Sequence, residues 1–169
     1  AVDSFLREGI KDATIYVSCK GGDVFEGNDI ENEFDRLDNV ELALGAVCAS
    51  AATKWIAKYY TTALPTTKIM IHKPMLSAYG NVDKIEGDLK LLKDITDDYR
   101  KSYAAKMGIT EEEVNALWEK GDLWLTAEEA LEKKIVDAIA KPRNTPQAIH
   151  DAMITAVATE IPETIEEKP

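Results

Sequence analysis

The sequence predicts an α/β fold in which parallel strands are joined by helical crossovers. Three observations carry that prediction. Short β-prone runs recur at residues 13–18, 40–47 and 67–72; helical patterns of crossover length lie between them; and glycine or serine turns follow the strands. Parallel neighbours need connections of a dozen or more residues, which hairpin turns cannot supply.

Taken in order, the chain opens at Ala1 without Met and without a positively charged signal segment, and its first residues read as helical. We read it as a trimmed chain. Ala-Thr-Ile-Tyr-Val-Ser at 13–18 is the first strand, stopped by Cys19-Lys20-Gly21-Gly22. A helix with Ile30, Phe34 and Leu37 on one face follows. The nearly continuous apolar run at 40–47 is a second strand, Cys48-Ala49-Ser50 a tight connection, 51–60 a helix and 67–72 a third strand.

Over 81–107 the period lengthens, with Ile85, Leu89, Leu92, Ile95, Tyr99, Tyr103 and Met107 three or four residues apart in a Lys- and Asp-rich run. This is one long amphipathic helix of about seven turns. Its apolar stripe exceeds what a small sheet needs, so part of it is expected to project toward another subunit. Gly108 and Gly121 break the chain, and Thr110 with Glu113 and Thr126 with Glu129 form capping-box patterns for two shorter helices.

Composition shifts at Lys141-Pro142-Arg143-Asn144, which divides the chain into a domain at 1–140 and an appendage at 141–169. There Thr145-Pro146 opens an expected helix with Ile149, Met153 and Val157 on one face, and 160–169 is an acidic tail with two prolines. That helix is expected to serve assembly or to cap the domain's own core.

Composition narrows the function classes. In 169 residues, 31 acidic against 20 basic side chains give a net charge of −11, which repels a phosphate backbone, so nucleic acid is not an expected partner. Apolar runs are broken well short of the roughly 18 residues a membrane helix requires. Two cysteines, Cys19 and Cys48, make neither a disulfide framework nor a zinc spacing; a reducing compartment and the absence of a metal or other cofactor are expected.

Three residues are candidates for nucleophilic catalysis: Ser50 at a strand-to-helix connection, His72 at the end of the next strand and Asp122 in the turn before a helix. Each alone has an ordinary reading, as an N-cap, a loop residue and a turn former. The order Ser, His, Asp is neither chymotrypsin-like nor subtilisin-like, and no Gly-x-Ser-x-Gly elbow surrounds Ser50. The position of Ser50 and His72 is informative, because parallel α/β sheets bind ligands beyond the C-terminal strand ends, where both fall. Gly21-Gly22 falls at another such end; a backbone N–H of this pair and the Ala51 N–H together could form an oxyanion hole. Cys48, two residues before Ser50, is an alternative nucleophile or a buried thiol.

Ser18-Cys19-Lys20-Gly21-Gly22-Asp23-Val24, Ala49-Ser50-Ala51, Met70-Ile71-His72-Lys73-Pro74 and Asp122-Leu123-Trp124-Leu125-Thr126-Ala127-Glu128-Glu129-Ala130 occur in one order along the chain. In that order they resemble the motifs of the Clp protease proteolytic subunit family over about 15–139. Ala78-Tyr79-Gly80-Asn81 most resembles the ClpP-related head maturation (prohead) proteases of tailed phages. The resemblance implies a ClpP/crotonase-like fold with a protruding helix, and a serine endopeptidase with Ser50 as nucleophile, His72 as general base and acid, and Asp122 orienting the imidazole. Gly22 and Ala51 would donate to the oxyanion, and activity would decline toward acid pH as the base is protonated.

Implied partners are further copies of the chain in a ring, and phage scaffold, capsid or portal proteins as substrates, in the host cytoplasm inside an assembling procapsid. Lys20 stands where the housekeeping enzymes have proline, and Ala52 where they often have glycine. The axial N-terminal segment is absent from the sequence, so docking to a Clp-type ATPase is not expected. Two other readings remain: an inactive capsid-assembly module, and a crotonase-like acyl-CoA enzyme that uses the two N–H groups without the side chains.

Overall fold

A computed structural model describes residues 2–141. Its elements are α1 (Val2–Arg7), β1 (Asp12–Cys19), α2 (Val24–Phe34), β2 (Asn39–Ala49), a 3₁₀ turn (Ser50–Ala52), α3 (Thr53–Lys58), β3 (Tyr60–Ala63), β4 (Lys68–Ile71), α4 (Val82–Met107), α5 (Glu111–Trp118), β5 (Leu123–Leu125), α6 (Ala127–Glu132) and β6 (Ala138–Ile139). The α/β expectation holds. The expected appendage helix, with Ile149, Met153 and Val157, lies outside the described residues.

β2 is the organising strand. β1 pairs with it in parallel, from Asp12↔Asn39 to Cys19↔Cys48, and β3 and β4 pair in parallel with its successive stretches 41–44 and 47–49. β6 runs parallel to β3 and β5 antiparallel to β4. Having neighbours along its length, β2 can be apolar almost throughout, and Leu42, Leu44, Cys48 and Ala49 are buried.

Three strands escape the sequence pattern. Tyr60, expected at the end of a helix over 51–60, instead starts β3, and α3 is confined to Thr53–Lys58. Pairing with β2 and the hydrogen bond from Thr61 N–H to Asp137 Oδ2 (2.7 Å) decide the matter against local helix preference. Thr67, fully buried, bridges the break between β3 and β4: its hydroxyl donates to Gly45 O (2.7 Å) and accepts from Leu64 N–H (3.0 Å). β5 and β6 are only three and two residues long, too short to show a period.

In α2 the buried face centres on Gly27, with Val24, Glu31 and Phe34 half-buried beside it, whereas Ile30 is exposed and Leu37 is buried beyond the helix end. Gly27 sets this rotation, because Trp55 Nε1–H donates to Gly27 O (2.9 Å) and holds the helix by its backbone. Asp23 caps the helix by accepting from Phe25 N–H and Glu26 N–H.

α4 runs from its Asn81 cap to Gly108, whose φ of 68° ends it in the left-handed conformation. Its C-terminal half buries Thr96, Tyr99, Tyr103, Ala104 and Met107. Its N-terminal half does not: Val82, Ile85 and Leu89 are 69%, 43% and 47% exposed. Both capping boxes form, Thr110 with Glu113 and Thr126 with Glu129. No helix among the described residues is long and apolar enough to cross a membrane.

Candidate active site

Ser50 follows directly on the last residue of β2 and turns the chain with φ +57°. A side chain rarely adopts this left-handed conformation, which costs on the order of 1–3 kcal/mol, so the packing around it must enforce it. Gly21 supplies part of that packing. A Cβ at Gly21 would stand 2.5 Å from Ser50 Cβ, 2.7 Å from Ala49 O and 3.0 Å from Ala51 N, and its φ is +94°. Only glycine lets the end of β1 lie this close to the Ser50 corner.

His72 is the first residue after β4, whose pairing with the end of β2 brings it to Ser50. Ser50 Oγ and His72 Nε2 are 2.7 Å apart. With the serine donating, Nε2 carries the lone pair and Nδ1 the proton, the tautomer a general base requires. Asp122 precedes β5 rather than occupying a simple turn before a helix, as the sequence had indicated; α6 begins only at Ala127. The antiparallel register Ile71↔Leu123 sets Asp122 opposite His72 one step further on. His72 Nδ1 and Asp122 Oδ1 are 3.8 Å apart, beyond hydrogen-bond reach, and the carboxylate is 59% exposed.

Gly22, Val24, Ser50, Ala51, His72, Pro74, Met75 and Tyr99 line one cleft of about 200 Å³. The two residues expected to supply oxyanion N–H groups are thus in the same cleft as the serine and the histidine. Cys48 is not: it is fully buried, and burial first, with Cys19 nearby, pushes its thiol up to about 12. A thiol so disposed is protonated at neutral pH and has no thiolate with which to attack. Among the described residues no group of three or more His, Cys, Asp or Glu gathers as a metal site.

The structure adds residues that were read from sequence only as stripe or helix positions. Thr53, three residues after Ser50, donates to Ser50 O (2.6 Å) and is 2.5 Å from Tyr103 OH. Tyr99 OH donates to Ala51 O (3.4 Å), and burial pushes its phenol up to about 12. The spacing of four between Tyr99 and Tyr103 was visible; that both hydroxyls return to the serine corner was not, because α4 is some fifty residues away.

A family model described as Clp protease matches residues 5–143. Curated relatives include ATP-dependent Clp protease proteolytic subunits from two strains of Bacteroides fragilis, each 28% identical over 136 residues, which cover 76% of this chain. One from Bacteroides thetaiotaomicron is 27% identical over 135 residues, again covering 76% of the chain. The chain spans 60–64% of the length of these relatives.

Proposed function

The chain belongs to the Clp protease family, and from that premise we propose that it is a serine endopeptidase with Ser50 as nucleophile, His72 as general base and acid, and Asp122 as the orienting carboxylate. The observation that carries this reading is the 2.7 Å approach of Ser50 Oγ to His72 Nε2 within a cleft that Gly22 and Ala51 also line. In the acylation step Oγ forms a bond to the scissile carbonyl carbon as its proton passes to Nε2. The carbonyl oxygen becomes an oxyanion facing the Gly22 and Ala51 N–H groups, and His72 then returns the proton to the leaving amine. Water repeats the cycle on the ester.

The His72–Asp122 separation favours a protein whose activity is completed on assembly. A carboxylate more than half exposed stabilises an imidazolium weakly, because solvent screens it. We propose a ring-shaped homo-oligomer in which a neighbouring copy covers the exposed half of α4 and excludes water from Asp122. Phage scaffold, capsid or portal proteins are the proposed substrates; the support is the Ala78-Tyr79-Gly80-Asn81 segment that leads into α4.

A fluorophosphonate serine label, combined with Ser50→Ala, tests the activity. The wild type should be labelled at Ser50 and cleave peptide and scaffold substrates, with the variant doing neither while remaining folded. Cleavage that survives in Ser50→Ala would overturn the assignment. Assembled but unlabelled wild type would favour an inactive assembly module, and thioester turnover that tolerates Ser50→Ala would favour the acyl-CoA chemistry.

A further inference from the structure

The Ser50–Ala51 peptide is gripped from the protein interior by a chain of two hydroxyls. Thr53 Oγ1 donates its single proton to Ser50 O at 2.6 Å, so across the 2.5 Å contact with Tyr103 the tyrosine must be the donor. Both side chains are buried, at 0% and 1% exposure, where water cannot replace either bond. The Thr53 backbone N–H also turns to Ser50 O, so this carbonyl is held on two sides.

A trans peptide is planar, and its C=O and N–H point in opposite directions. Holding Ser50 O toward Thr53 therefore aims the Ala51 N–H away from the interior, and Ala51 is a wall of the cleft. Tyr99, one turn before Tyr103 on α4, reaches the following carbonyl, Ala51 O. A threonine hydroxyl bonded to the carbonyl three residues back is ordinary within a helix. Two features set this one apart. Its acceptor belongs to a residue with φ +57°, and a third group, from an element fifty residues distant, orients the hydroxyl.

We propose that Thr53 and Tyr103 are positioning residues that hold the Ala51 N–H as an oxyanion donor, so that α4 sets the aim of one half of the hole. The inference rests on the serine-peptidase reading and adds to it the device that preorganises the site. A donor fixed in advance needs no reorganisation when charge develops, and that is where such groups gain their effect.

Thr53→Val and Tyr103→Phe remove one hydroxyl each at nearly constant shape, and Thr53→Ser keeps the donor. For each, cleavage of a fluorogenic peptide amide gives kcat and KM. Affinity is also measured for a peptide aldehyde, whose adduct on Ser50 places an oxygen in the hole, and for the matching carboxylate product. Thermal unfolding monitors the fold. Thr53→Val and Tyr103→Phe should lower kcat about ten- to hundred-fold and weaken the aldehyde by a similar factor. KM and product affinity should stay within about two-fold, and Thr53→Ser should retain at least a third of wild-type kcat.

Wild-type kcat in Thr53→Val, or a loss shared equally by product affinity, overturns the proposal. So does a Thr53→Ser as impaired as Thr53→Val. If Thr53→Val does not fold, Tyr103→Phe, which leaves the inner hydrogen bond in place, decides by the same criteria. Failure of the peptidase reading looks different: the wild type itself would neither cleave the amide nor capture the aldehyde at Ser50.

Discussion

His72 and Asp122 face one another across β4 and β5, one register step beyond Ile71↔Leu123, yet Nδ1 and Oδ1 stand 3.8 Å apart. The strands thus bring the pair together while the last ångström stays open to solvent. If activity is completed in the proposed ring, Asp122→Asn should cost the isolated subunit little and the assembled form about a hundred-fold or more in kcat. Rates of both proteins measured across a dilution series check this. An equal loss at every concentration would show that assembly does not act through this carboxylate.

The Gly21 contact allows a sharper test of the corner. Gly21→Ala forces a Cβ against Ser50 Cβ and Ala49 O at a backbone angle alanine disfavours, and should destabilise the protein by about 3 kcal/mol and abolish labelling of Ser50. A Cβ at Gly22 meets no atom within 4 Å, so Gly22→Ala bears the backbone cost of its φ of +157° without the clash and should unfold at a temperature between those of wild type and Gly21→Ala. Calorimetry on the two variants separates crowding at position 21 from glycine loss in general.

Cys48 supplies a control on nucleophile identity. With its thiol pushed up to about 12 and its side chain sealed in the core, it should resist iodoacetamide at pH 7.5 in the folded protein while Cys19, partly accessible, reacts. Cys48→Ala should keep peptide cleavage within a few-fold of wild type, at a stability cost of about 1 kcal/mol. Mass spectrometry of the alkylated protein and a single rate measurement suffice.

A pH effect on stability is located between α2 and the end of α3. Asp35 is pushed up by partial burial, but hydrogen bonds from Lys58 and Tyr59 and the Lys58 charge outweigh this and hold its carboxyl below the usual range. A depressed acid stabilises the fold above its unfolded pKa of about 3.9, and that contribution is lost as pH falls through the folded value. The difference in melting temperature between wild type and Asp35→Asn should be constant from about pH 5 to pH 8 and shrink below about pH 4. Since both side chains of the Lys58–Asp35 pair are more than 40% exposed, the difference corresponds to less than about 1 kcal/mol. A difference that grows on acidification would refute the linkage.

What could be read from the sequence is what local chemistry decides. The Gly108 stop and the two capping boxes each depend on residues within four positions of one another, and each forms as expected. The strand β2 was visible because burial at Leu42, Leu44, Gly45, Cys48 and Ala49 calls for a nearly continuous apolar run. β5 and β6 were not, because strands of two or three residues take their conformation from the partner they pair with, and β3 was hidden because Tyr60 continues the helical run that begins at 51. The face of α2 was misjudged for a related reason: Gly27, with no side chain to count, is the residue that approaches Trp55. In the site, Ser50, His72 and the glycine pair could be nominated by their place at strand ends. The return of Tyr99 and Tyr103 to the serine corner depends on how α4 packs, which no local window contains.

The positive φ of Ser50 sets thermodynamic stability against the hydroxyl. Glycine would occupy that left-handed corner with about 1 kcal/mol less conformational cost, so Ser50→Gly is expected to raise the melting temperature or leave it unchanged while removing the hydroxyl altogether. A lineage selected for folding alone would drift toward glycine at this position, and only a demand made on the side chain opposes that drift.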